Sequence, residues 1–112
     1  MAKYDLKVSL DPKQAYDLVI EGQSRAGSDL VYEEFIDLGD GRYIGTLVFE
    51  KYYFRAKNRA ALVVIIDNIK GYTDVRSIST GSSEGMIFNF DWGAADDFAY
   101  SVIKILDPYI IE

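Results

Sequence analysis

The 112-residue sequence contains no histidine and no cysteine, and each absence removes a block of chemistry. Histidine is the usual general base near neutral pH and the commonest zinc ligand, so catalytic triads and zinc hydrolases are excluded. Without cysteine there are no disulfides, thiolate nucleophiles or sulfur-ligated metals. Cations are the minority charge: 12 Lys and Arg against 18 Asp and Glu leave a net charge of -6. Such a surface repels a phosphate backbone, and nucleic acid is not an expected partner. Long apolar runs are also missing. The longest, Ala60 to Ile66, falls far below the ~20 residues a membrane helix needs. The first ten residues alternate charged and apolar groups without an apolar leader stretch, which predicts a cytoplasmic protein with no membrane partner.

What is present is material for a core. Apolar residues make up 49% and aromatics 14% of the chain, enough to support packing, and the length predicts one domain over residues 1–112.

Lys3 to Leu10 alternates, with Tyr4, Leu6, Val8 and Leu10 on one face, and predicts a half-buried strand. Asp11, Pro12 and Gln14 supply an N-cap, a first-turn proline and a capping-box partner, so a helix should run from Pro12 to about Arg25 with Ala15, Leu18, Val19 and Gly22 inward. From Asp29 the period becomes two. A strand through Leu38, a Gly39-Asp40-Gly41 turn and a strand from Arg42 to about Ala56 form a hairpin in which Leu38 faces Arg42, Ile36 faces Ile44, Tyr32 faces Val48 and Phe35 covers Gly45. Lys57 to Arg59 makes the next turn, and Ala60 to Ile69 should be the central strand. Val75 to Thr80 and Met86 to Phe90 predict two more strands joined by a polar loop, and Asp91 caps a last helix with Ala95, Phe98, Ala99, Val102, Ile103 and Leu106 on its apolar face. The order is β-α-β-β-β-β-β-α. It predicts an α+β fold: one antiparallel sheet of five to six strands with two helices on one face.

The segments Glu50-Lys51-Tyr52, Asn58-Arg59, Ile78 to Ser83, and Gly93 with Phe98 resemble those of an uncharacterised bacterial family of small domains. The strand order is similar to TATA-binding-protein-like and helix-grip domains. The resemblance implies the fold and assigns no activity.

Chemistry-bearing constellations are few. Gly39-x-Gly41-x-x-x-Gly45 has the wrong spacing for a dinucleotide loop and lies between two strands. Asp37 and Asp40 lack the oxygen ligands of a calcium loop. No metal site and no cofactor is predicted. Ser79, Ser82 and their neighbours up to Gly85 could hold an anion or form an ordinary polar turn. Arg55, Lys57 and Arg59 form a positive spot that could receive a carboxylate or phosphate, or keep a hairpin tip solvated. Glu34 and Glu50 share a face with Tyr32, Ile36, Ile44, Val48, Tyr52 and Phe54; covered, either would have a raised pKa unless Arg76 or Lys51 reached it.

No residue assembles into a catalytic set, so the leading expectation is a non-enzymatic binding or assembly module. It would be a homodimer joined through the sheet face left open by the helices, with Tyr52, Arg55, Arg59, Ser79 and Ser82 as candidate contact residues. A binder of a small apolar ligand between helices and sheet, or of another protein, is the alternative. An acid/base enzyme using Glu34 or Glu50 is a third.

Overall fold

A computed structural model describes residues 1–54, 57–81 and 92–111. The elements follow in the order β1 (Ala2–Val8), α1 (Pro12–Arg25), β2 (Asp29–Gly39), β3 (Arg42–Tyr53), β4 (Asn58–Asp67), β5 (Thr73–Gly81) and α2 (Trp92–Leu106), closed by a single 3-10 turn at Asp107–Tyr109. The anticipated Met86–Phe90 strand and the Asp91 cap lie outside the described residues. Among those described, the strands form one antiparallel sheet in the order β1-β5-β4-β3-β2. The fold is α+β, with the most apolar strand, β4, at its centre.

Local chemistry sets the ends of the elements. The Asp11 carboxylate accepts from Gln14 N at 2.9 Å while Asp11 N donates to Gln14 Oε1 at 3.0 Å, a complete capping box in front of α1. The β2–β3 turn has Gly39, Asp40 and Gly41 all at positive φ, a conformation that two glycines make accessible. Ile36–Ile44, Tyr32–Val48 and Phe35–Gly45 pair as expected, but Gly39 and not Leu38 faces Arg42. The register slips by one beside the turn, and a second irregularity falls between Leu30 and Tyr32. β4 starts at Asn58 and ends at Asp67, two residues earlier at each end than expected, because the β4–β5 turn takes Ile69 to Gly71.

Both helices pack on one face. Leu6, Val8, Leu47, Phe49, Leu62, Val64, Ile66 and Val75 from the strands meet Ala15, Tyr16 and Val19 of α1 and Phe98, Val102 and Leu106 of α2 in one buried cluster. Close approach is made possible by small residues. Gly45 lies under the Tyr16 ring, whose edge meets Phe35 at 5.0 Å between centroids. Ala94, Ala95 and Ala99 of α2 are buried, and Ser77 Oγ donates to Ala99 O at 2.9 Å, tying that helix to β5.

The inner stripe of α1 differs from expectation. Leu18 is only partly buried, while Tyr16 and Gln23 are fully so. Gln23 is acceptable there because its amide is satisfied: Nε2 donates to Ser101 Oγ at 2.7 Å and Oε1 accepts from Ser28 Oγ at 2.8 Å. This relay joins the two helices. Gly22 lets the Ile105 side chain of α2 lie against α1.

Candidate functional site: the uncovered sheet face

Strand alternation sends every second side chain to the opposite face, where no helix of the described residues lies. Cross-strand register arranges that face in levels. Lys3, Ile78, Val63, Val48 and Tyr32 form one level. Asp5, Arg76, Ile65, Thr46 and Glu34 form the next, followed by Lys7, Asp74, Asp67, Ile44 and Ile36. Its middle is therefore an apolar stripe of aliphatic side chains on β5, β4 and β3, half-buried by their sheet neighbours alone. Towards β2 the apolar groups stand out further: Ile36, Tyr32 and Tyr52 are 39%, 50% and 43% exposed, and Phe54, edge-on to Tyr52 at 5.1 Å, is 85% exposed.

Charges frame the stripe. At the β1–β5 side, Arg76 reaches Asp67 at 3.0 Å and Asp74 at 3.6 Å, and Lys70 approaches Asp74 at 3.4 Å. Burial, and then the hydrogen bond with Asp5, pushes the Asp74 carboxyl above the usual carboxylate range. At the opposite corner Arg59 bridges Glu50 and Asp29, each at 3.3 Å. Glu34 raises the Tyr32 phenol by its charge. Among the described residues no cluster of acidic groups could hold a metal ion.

The expected contact residues separate on this frame. Tyr52 and Arg59 pair across β3 and β4 on the open face and belong to its β2 corner. Arg59 is thus a strand residue with two carboxylate partners and not the tip of a turn. Ser79 is not in a loop. It lies inside β5 on the helix side, fully buried, and its hydroxyl has no hydrogen-bond partner among the described residues. Arg55 and Ser82 lie outside the described residues. Glu34 and Glu50 stand on the face that no helix of the described residues covers, and Arg59 reaches Glu50 while Arg76 turns to Asp67. Lys51 is on the covered side, over the Tyr53 ring.

The chain belongs to the family of unknown function DUF6054. The family model matches residues 1–110, which takes in every element named above. No curated protein matches the chain. The family adds no activity to the geometry, and the open face is a feature that packing among the described residues does not explain.

A second feature lies at one end of the sheet. A groove of about 460 Å³ is bounded by Asp11, Pro12 and Lys13 at the start of α1, by Phe35, Gly41 and Tyr43 of the hairpin, and by Asn68. Phe35 and Tyr43 stack at 5.6 Å, and the Lys13 ammonium sits 5.2 Å from the Phe35 centroid. Asn68 fixes one wall by accepting from Tyr43 N at 2.9 Å and donating to Gly41 O at 2.9 Å. Sequence reasoning missed this groove, because it depends on the β4–β5 turn folding back onto the hairpin.

Proposed function

We propose that this chain is a non-enzymatic binding and assembly module of the cytoplasm, docking through its uncovered sheet face onto a second copy. The observation that carries this reading is the aliphatic stripe of Ile44, Val48, Val63, Ile65 and Ile78 on a face that no helix of the described residues shields. An antiparallel sheet whose second face is meant for water alternates apolar with polar residues, and this one does not along β3 and β4. A two-fold partner is the commonest way to bury such a surface. The resemblance to helix-grip and TATA-binding-protein-like domains, and the bacterial setting it implies, belong to the same reading.

Sedimentation velocity across a concentration series tests it. A dimer in the micromolar range is expected, converted to monomer by Val63→Lys at the centre of the stripe. A wild-type protein that stays monomeric at high micromolar concentration overturns the proposal.

The groove beside Phe35 and Tyr43 favours a second reading, a small apolar ligand held between α1 and the sheet. Its size falls in the range of small-molecule sites, on the order of 300–1,000 Å³. An apolar compound retained through native mass spectrometry and lost on Phe35→Ala would favour it.

A further inference from the structure

We propose that the two copies stack face to face about a two-fold axis lying along β4, so that the β1 edge of each rests on the β2 edge of the other. This rests on the assembly reading above and specifies its geometry. Sheets packed face to face keep their strands within about 30° of one another. Two kinds of two-fold axis in the interface satisfy that angle. An axis across the strands lays β1 on β1 and β2 on β2. One along the strands lays β1 on β2.

The edge charges decide between them. On the open face β1 presents Lys3 and Lys7 around Asp5, and β2 presents Asp29 and Glu34 with no cation of its own. An axis across the strands would bring lysines onto lysines and carboxylates onto carboxylates, the arrangement that suppresses an interface. An axis along β4 brings the lysine edge to the carboxylate edge twice, once at each side. The level of Glu34 matters here. It matches Asp5, between the levels of Lys3 and Lys7. With a packing angle of about 30° and strands about 4.8 Å apart, facing levels two strands from the axis are displaced by about 5 Å. Successive levels on one face are about 6.8 Å apart. Glu34 is therefore carried off Asp5 and onto the adjacent level, and both adjacent levels of β1 hold a lysine. In the middle, Val63 and Ile65 lie on the axis and meet their own copies, while Ile78 lies over Val48 of the second copy.

Pairing of two β2 edges into a continuous sheet is disfavoured by the same bookkeeping. β2 carries Asp29, Glu33, Glu34 and Asp37 and no basic residue, so its own copy is the wrong neighbour for it.

A charge exchange tests the orientation. Lys3→Glu with Lys7→Glu reverses one edge, and Glu34→Lys reverses the other. Each variant alone is expected to dimerise at least about tenfold more weakly than wild type at low salt, because its like charges now meet across the axis. Mixing the two variants is expected to restore a dimer, since both edge contacts are then of opposite charge. The chain carrying all three substitutions should dimerise like wild type, which also shows that the reversed residues do not impair folding. If wild type dimerises and both variants do so with unchanged affinity, the orientation is wrong while the assembly reading stands. If wild type is monomeric, both fall.

Discussion

Gly45→Ala adds a single methyl group at a close approach between α1 and the sheet. Its Cβ would lie 2.6 Å from Tyr16 Cδ1 and 3.0 Å from Phe35 Cδ1, against an ordinary contact that begins near 3.4 Å. Tyr16 is 2% exposed, and its hydroxyl is fixed by Glu33 at 3.0 Å, so the ring has little room to retreat. Forcing a methyl into a well-packed site costs about 1–3 kcal/mol. Against this stands a gain of roughly 0.5–1 kcal/mol from replacing glycine inside a strand, where its backbone freedom is lost on folding. The overlap wins, and a net loss of about 1–2 kcal/mol is expected. For a domain of this size that lowers Tm by roughly 4–9 °C. Thermal unfolding followed by circular dichroism reads the effect directly. The origin of the loss is checked in a Tyr16→Val background, where the methyl has space and the same substitution should be neutral or stabilising. Gly45→Ala as stable as wild type would refute the close packing of Tyr16 over β3.

Phe98→Ala removes a ring that is 1% exposed and edge-on to Tyr53; a loss on the order of 3–5 kcal/mol is expected in urea unfolding, and an unchanged midpoint would contradict the position of α2 on the sheet. Asp11→Ala removes the carboxylate that accepts from Gln14 N, while the bond from Asp11 N to Gln14 Oε1 keeps its backbone donor, and should cost about 1 kcal/mol, recovered in large part by Asp11→Ser. Asp74 titrates above the usual carboxylate range because it is buried and hydrogen-bonded with Asp5. Its contribution to stability is full below its unfolded pKa and lost as pH rises through the folded value. Relative to wild type, Asp74→Asn should therefore be more favourable at neutral pH than near about pH 4. A stability difference that is constant across this window removes the basis for the shift.

The periods of two and 3.6 were enough to place the five strands and two helices of the described residues, and the hairpin register, with Phe35 opposite Gly45, followed from a three-residue Gly39-Asp40-Gly41 turn. It failed at Leu38 because three successive positive-φ residues shift the pairing beside the turn, a backbone effect that side-chain alternation does not report. The choice of covered face was not legible from hydrophobicity, since β3 and β4 are apolar on both sides. A weaker signal existed in residue size. Gly45, Ser77 and Ser79 share the face that admits the helices, and Ala94, Ala95 and Ala99 answer them from α2. Ser79 falls within the expected Val75–Thr80 strand, but its grouping with the polar residues that follow hid that a small hydroxyl side chain there is buried on the helix side. Arg59 was misread because its carboxylate partners, Asp29 and Glu50, come from two other strands.

The placement of β1 beside β5 has a consequence for the order in which the fold is made. Strands β2 to β4 each find a neighbour across a short turn, but Leu6 meets Val75 only after the whole meander has been assembled. Closing a loop about tenfold longer costs about 2 kcal/mol more in chain entropy, so β1 is expected to dock last in folding and detach first in unfolding. Hydrogen exchange as slow in β1 as in β4 would contradict that order. The strand that precedes the meander in the chain is thus the last to be held, kept at its far end by the Val8–Ile110 bridge and the bonds from Ser9 N to Tyr109 O and from Ile111 N to Lys7 O. A second copy offers β1 an identical vacancy, so at high concentration the characteristic failure of this fold is exchange of its first strand between two molecules.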